Sequence, residues 1–269
     1  MNIPPMLRKS LAVCLLLTAS AGAGTWPVWR GDAAMTGVST ESLAFPLPLA
    51  WKFEMAKPVK ATAVSDGSRF YIGDAKGKFF ALNAADGKPA WEFDTKDSIE
   101  GSALLTGGNV IFGTLEGTIY ALNAATGKQA WVFKTEAEVR AAPNVFERPA
   151  PFFLGPPGPP PLFLRGSYDT RLYALNSSDG SRAWMVETGN YVNGSAAVID
   201  GLTAFGGCDG FVYFINAADG KEAGKVEIRN PVANTVAGRN GMAVLSHYGH
   251  EVTALDAKQF SAKWVYNER

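Results

Sequence analysis

Beyond residue 50, apolar and polar positions recur in short alternating runs. One apolar position falls at Leu82, Leu122, Leu175, Ile215 and Leu255, with spacings of 40, 53, 40 and 40 residues. Nine residues after each stand Trp91, Trp131, Trp184, Gly224 and Trp264, and Trp51 stands one period before Trp91. A second set, Val59, Ile99, Val139, Val192 and Val232, is spaced by 40, 40, 53 and 40, the same period with the long interval one step later. Within the second period the runs Ile99 to Leu105, Val110 to Thr114, Thr118 to Asn123 and Gln129 to Lys134 predict four strands. Gly107-Gly108, Glu116-Gly117 and Thr126-Gly127 supply the turns between them. No helix-period segment competes after residue 23.

Four short antiparallel strands per period of about 40 residues describe one blade of a β-propeller, because a lone blade cannot bury both faces and must stack on neighbours. The fold class is therefore all-β, with five complete blades at 58–95, 98–135, 138–188, 191–228 and 231–267. Trp51 to Glu54 reads as one extra outer strand. Gly87, Gly127, Gly180 and Gly220 hold a turn position that calls for positive φ, which glycine adopts without steric cost. The tryptophans Trp51, Trp91, Trp131, Trp184 and Trp264 then open the outer strands and dock against an adjacent blade, each ring contributing several kcal/mol at about 25 cal/mol per Å². Small pairs such as Ala61-Thr62, Gly101-Ser102, Ala141-Ala142 and Gly194-Ser195 suit inner segments crowding toward an axis.

The N-terminus adds a compartment. Residues 1–23 place Arg8 and Lys9 before an apolar run from Leu11 to Ala19 and end in small residues, the form of a secretory signal cleaved after Ala21 or Ala23. The run is well short of the ~20 residues a spanning helix needs, so the remaining chain, 24–269, is read as exported, periplasmic or extracellular, without a transmembrane helix. Cys14 follows a bulky valine, which argues against a lipoprotein signal. Removing the signal leaves Cys208 alone, so no intrachain disulfide forms and stability rests on packing. With 25 basic and 25 acidic residues interspersed, no basic face for nucleic acid arises.

The strings ALNAADGKPAW from Ala81, ALNAATGKQAW from Ala121 and ALNSSDGSRAW from Ala174 resemble the tryptophan-docking motif of the PQQ-like β-propeller repeat family. FINAADGKEAG from Phe214 departs from it at Gly224, and ALDAKQFSAKW from Ala254 departs at Phe260, where the turn glycine is expected. The opening TWPVWRGDAAMTGVS is similar to the segment before the first blade in exported members. The resemblance implies one of two roles. Quinoprotein dehydrogenases hold pyrroloquinoline quinone (PQQ) and calcium on the axis, with a catalytic aspartate and often a vicinal disulfide; the propeller of the outer-membrane β-barrel assembly machinery is a non-catalytic scaffold that binds proteins.

Candidate chemistry is sparse. Calcium takes six to eight oxygens from converging groups, whereas Asp66, Asp86, Glu116, Asp179 and Asp219 fall in turns that repeat symmetry spreads around the rim. With one mature cysteine, a vicinal disulfide is excluded, and Cys208 reads as a small residue of a strand or loop. His247 and His250, with Glu251, could suggest a metal, but a turn at Tyr248-Gly249 fits the repeat equally and no third histidine exists. Lys60, Glu100, Arg140, Asn193 and Ala233 are expected to face the axis with alternating sign, against a concentrated ion site. No nucleophile elbow, Walker loop or dinucleotide fingerprint appears.

The third repeat carries a proline-rich insertion at 147–165, between its first and second strands. It reads as a tolerated surface insertion or, with Phe152, Phe153 and Leu154 beside it, as a partner-docking loop. The extra outer strand lacks inner strands of its own, so the expectation is a C-terminally truncated ring, with a natural five-blade ring as the alternative. The leading functional expectation is an exported, non-catalytic propeller that binds a protein or extended peptide, with no catalytic, cofactor or metal residues. The alternatives are a PQQ-dependent dehydrogenase or its degenerate relative, and a sensor or carbohydrate-associated propeller.

Overall fold

The structure, a computed structural model, describes residues 24–43, 45–148 and 158–267; the predicted signal at 1–23 lies outside the described residues. Five antiparallel sheets follow one another along the chain. The first contains β1 (Thr25–Trp26), β2 (Val64–Asp66), β3 (Arg69–Gly73), β4 (Lys78–Asn83) and β5 (Pro89–Asp94). The second contains β6 (Leu104–Thr106), β7 (Asn109–Gly113), β8 (Thr118–Asn123) and β9 (Gln129–Lys134). The third contains β10 (Asn144–Phe146), β11 (Leu162–Gly166), β12 (Arg171–Asn176) and β13 (Arg182–Glu187). The fourth contains β14 (Ala197–Ile199), β15 (Leu202–Gly206), β16 (Phe211–Asn216) and β17 (Glu222–Glu227), and the fifth β18 (Ala237–Arg239), β19 (Met242–His247), β20 (Glu251–Asp256) and β21 (Ser261–Tyr266). Innermost strands of successive sheets adjoin, which makes each sheet a blade.

The two periodic residue sets form two interlocking contacts at each blade junction. Trp51, Trp91, Trp131 and Trp184 lie over Gly87, Gly127, Gly180 and Gly220 of the following blade, where an added Cβ would come within 2.4, 2.6, 2.6 and 2.8 Å of the indole. Each Nε1–H also donates to a carbonyl beside that glycine: Ala84 at 2.8 Å, Ala124 at 3.0 Å, Ser177 at 3.0 Å and Ala217 at 3.1 Å. The four glycines have φ between 69° and 76°, so both the backbone and the close ring require them. In the opposite direction, Ile99, Val139, Val192 and Val232 lie over Gly73, Gly113, Gly166 and Gly206 of the preceding blade, again with no room for a Cβ.

The first strands begin later than the apolar pattern predicts, at Leu104 rather than Ile99 in the second blade. Residues 99–103 use backbone groups on the neighbouring blades instead. Ile99 N–H donates to Asp74 O, and Ser102 Oγ accepts from Thr62 N–H at 3.1 Å. The stretch predicted as an insertion also ends earlier, because Leu162–Gly166 is a buried strand that completes the third blade. At its base Arg148 donates to Pro160 O and to Asn176 Oδ1, while 149–157, with Phe152, Phe153 and Leu154, lie outside the described residues.

Trp264 departs from its expected docking role: it is 45% exposed, since among the described residues no blade follows β21 to receive it. The departures at Gly224 and Phe260 explain each other. In the first three blades an alanine of the third strand sits opposite the outer-strand tryptophan, as Ala81 opposite Trp91, whereas Phe214 sits opposite Gly224. Phe260 takes the glycine position of the next turn at φ 51°, its ring 5.3 Å from that of Phe214 and against Gly224. Two phenyl rings thus occupy the volume of one indole, with large and small residues exchanged across the junction.

A strap at the N-terminus, not anticipated as a structural element, ties the five blades together. Thr25–Trp26 pairs with β2, and Pro27 O accepts from Leu105 N–H in the second blade at 2.8 Å. Ala33 O accepts from Asn144 Nδ2 of the third blade at 2.6 Å and from Val198 N–H of the fourth at 2.7 Å, and Ala34 O accepts from Gly238 N–H of the fifth at 2.6 Å. Val28 and Met35 are buried in the central apolar cluster. Each innermost strand therefore holds the strap by at least one hydrogen bond.

The exchange at the fourth junction gives a direct test. G224W alone should drive an indole into Phe260 and lower the thermal midpoint by several degrees, at about 2–4 °C per kcal/mol for a domain of this size. The triple variant F214A/G224W/F260G restores the arrangement of the other junctions and should recover most of that loss. Additive losses in the triple variant, read by calorimetry, would refute the exchange.

Candidate functional site

The segments that enter each first strand converge on one end of the axis, where they line a cavity of about 580 Å³. Small residues, among them Gly101, Ala141, Gly194 and Ala233, keep the wall thin, while Trp29 and Arg30 of the strap also line it. Four of the five positions expected to face the axis, Lys60, Glu100, Arg140 and Asn193, line it together with the fifth, Ala233. Their alternating charges are paired across blades. Glu100 accepts from Lys60 Nζ at 2.5 Å through Oε1 and from Arg140 Nη1 at 2.9 Å through Oε2, and Arg140 Nε reaches Glu138 at 2.6 Å.

Sequence reasoning missed three features around this cavity. Arg165 is fully buried on β11, where the other blades place Ile72, Phe112, Phe205 and Leu245. Its Nη2 donates to Val139 O at 3.1 Å and crowds Gly101 and Gly113, but its Nε and Nη1 have no partner. Burial without a carboxylate lowers this guanidinium to about 9, still a cation at neutral pH. Aligning the repeats would have exposed the odd residue. Second, Tyr168 and Tyr191 stack with centroids 4.9 Å apart, and Arg140 lies over Tyr168 at 5.7 Å. Third, Tyr248, in the corresponding turn of the fifth blade, is 68% exposed. These turns belong to the cavity's end of the molecule, since Tyr168 N–H donates to Glu138 O and Tyr248 N–H to Pro231 O in the entering segments.

The acids expected in turns are occupied there. Asp86 accepts from Lys88 N–H, Asp179 from Ser181, Asp219 from Lys221 N–H and Asp66 from Ser68 and Arg69 N–H. The Tyr71, Tyr173 and Tyr213 hydroxyls donate to Asp66, Asp169 and Asp209 at 2.6–2.7 Å. Burial, then the carboxylate, pushes Tyr71 and Tyr173 up to about 12. Glu116 lies in the turn after β7, where its N–H donates to Asp97. His247 is buried, its Nδ1 accepting from Gly249 N–H and its Nε2 3.4 Å from Thr253 Oγ1 and 3.7 Å from Glu251, while His250 takes the left-handed turn position. Among the described residues no group of three or more His, Cys, Asp or Glu is arranged to hold a metal. Cys208 occupies a turn of the fourth blade, its thiol pushed up by burial and by Asp209.

The cavity does not fit calcium. Its lining supplies one carboxylate, Glu100, and both oxygens of that group are engaged by cations, whereas the metal draws several anionic oxygens to one point.

The sequence matches the model of the family described as outer membrane protein assembly factor BamB over residues 48–155 and 168–269. A comparison with curated protein sequences gives no match. Among solved structures, BamB from Moraxella catarrhalis is similar with a TM-score of 0.68 at 22% identity, covering 81% of this chain and 64% of that one. The quinohemoprotein alcohol dehydrogenase ADHIIG from Pseudomonas putida HK5 is similar with a TM-score of 0.71 at 15% identity, covering 91% and 48%. The quinohemoprotein alcohol dehydrogenase from Comamonas testosteroni gives 0.70 at 14% identity, covering 93% and 50%. At these identities the likeness shows the fold, and the chain spans about half to two thirds of the length of each.

The turn carboxylates contribute to the acid dependence of stability. Hydrogen bonds from Lys88 N–H, Lys96, Ser181, Lys221 N–H and Gln259 N–H hold Asp86, Asp94, Asp179, Asp219 and Asp256 below the usual value. Folded values below the unfolded ones mean that this stability is present above about pH 4 and is lost as pH falls further. The urea midpoint should therefore hold from pH 5 to 7 and decline below about pH 4; a midpoint unchanged in strong acid would contradict the assignment.

Proposed function

This chain belongs to the family described as outer membrane protein assembly factor BamB, and we propose from that membership that it is an exported, non-catalytic propeller that binds a protein or extended peptide as a scaffold. The observation that carries the reading is the use of the repeated residues. The indoles and glycines are engaged in holding blades together, and the turn acids in satisfying backbone N–H groups. The surface that suits a partner is the outer edge of the fifth blade. There β21 is the outermost strand of its sheet, and a strand edge with free backbone groups accepts an added strand.

A PQQ-dependent dehydrogenase is the second reading, favoured by the likeness to the two quinohemoprotein enzymes. Against it stands the lining described above, in which the one carboxylate is held by Lys60 and Arg140. Two measurements separate the readings. Protein supplied with the quinone and calcium should show no dye-linked oxidation of alcohols or sugars; sustained turnover would overturn the scaffold reading. Titration with periplasmic domains of the host's outer-membrane β-barrel assembly protein should give saturable binding, which V265P, by removing a backbone donor from β21, weakens about tenfold. Binding that V265P leaves unchanged would remove β21 as the surface.

A further inference from the structure

We propose that the axial cavity is a metal-independent binding site for a carboxylated sugar, a hexuronate unit of an acidic saccharide. Charge is the first argument. Arg30, Lys60 and Arg140 line the cavity against Glu100 alone. With Glu138 beside Arg140 and the buried Arg165 behind Gly101, four cations face two carboxylates. Arg165 keeps two donor nitrogens, Nε and Nη1, unpaired in a site of low polarity, so its charge acts on the cavity with little screening. The surplus favours an anion and opposes a cation, which also accounts for the misfit with calcium.

The second argument is the polar wall. Ser102 and Thr235 hold their hydroxyl oxygens in place by accepting from Thr62 N–H at 3.1 Å and Ser195 N–H at 3.2 Å. Each keeps its own O–H to donate. Asn234 donates to Ser246 Oγ at 2.9 Å and keeps its carbonyl as an acceptor, and Asn193 also lines the cavity. Fixed donors and acceptors of this kind match the alternating hydroxyls of a pyranose ring.

Third, the Tyr168–Tyr191 stack and the exposed Tyr248 ring border the same end, and flat aromatic faces cover the C–H face of a sugar. A cavity of about 580 Å³ holds one to two such units.

The test is calorimetric titration of the whole chain with trigalacturonate, with maltotriose as the neutral trimer and triaspartate as the acidic peptide. Trigalacturonate should bind one per chain, equally with and without a chelator, and more weakly as salt rises. Maltotriose and triaspartate should each bind at least about tenfold more weakly. K60Q and R140Q should weaken trigalacturonate binding about tenfold, and E100Q, which frees both cations, should strengthen it. Y191A, at a side chain 47% exposed, should weaken binding severalfold with an unchanged near-ultraviolet circular dichroism spectrum, so a folding defect is not confused with a lost site. Absence of binding, equal binding of maltotriose or triaspartate, a calcium requirement, or indifference to R140Q would each overturn the proposal. None of these results depends on the protein partner, which is tested at β21.

Discussion

The architecture depends on a contact in which a bulky side chain of one blade enters a site left open by a glycine in the next. It is made twice at each of the first three junctions and in opposite directions. The indole of Trp91 covers Gly127 ahead of it, while Ile99 covers Gly73 behind. Neither glycine position tolerates a Cβ, so blades cannot slide past one another without a collision. The indole N–H adds a hydrogen bond to a carbonyl that the turn leaves unused, which fixes the angle as well as the distance. The fourth junction shows that the requirement is for complementary volume rather than for tryptophan, since Phe214 and Phe260 close it around Gly224.

This contact is also why so much of the fold was legible. A spacing of 40 residues, a glycine at a fixed turn and a tryptophan four positions later follow directly from stacking identical units, and the third and fourth strands of the second blade fall where alternation places them. Legibility ended where residues serve a neighbour instead of their own sheet. Residues 99–103 alternate like a strand yet direct their hydrogen bonds to the preceding blade. The strap has no counterpart in the repeat, so periodicity could not show that Ala33 and Ala34 reach three different blades. Gly224 and Phe260 each looked like a defect because a one-dimensional pattern cannot show that they touch.

The candidate site was half legible. Position in the repeat correctly brings Lys60, Glu100, Arg140 and Asn193 to the axis, and their alternating signs become ion pairs between blades. What the repeat conceals is the surplus of positive charge, because Arg30 comes from the strap and Arg165 from a position that elsewhere holds Ile, Phe or Leu. The same division applies to chemistry generally in this chain. Carboxylates at repeated positions are absorbed by turns, and whatever selectivity the axis has comes from residues that break the repeat.

The central claim is that the indoles are locked into the following blade. Hydrogen exchange of the indole N–H groups, followed by proton–nitrogen correlation spectroscopy in heavy water, reads it directly. Four indole protons, those of Trp51, Trp91, Trp131 and Trp184, should persist long after that of Trp264 has vanished. Loss of all of them at one fast rate would show that the rings are not held, and the account of how the blades cohere would fail.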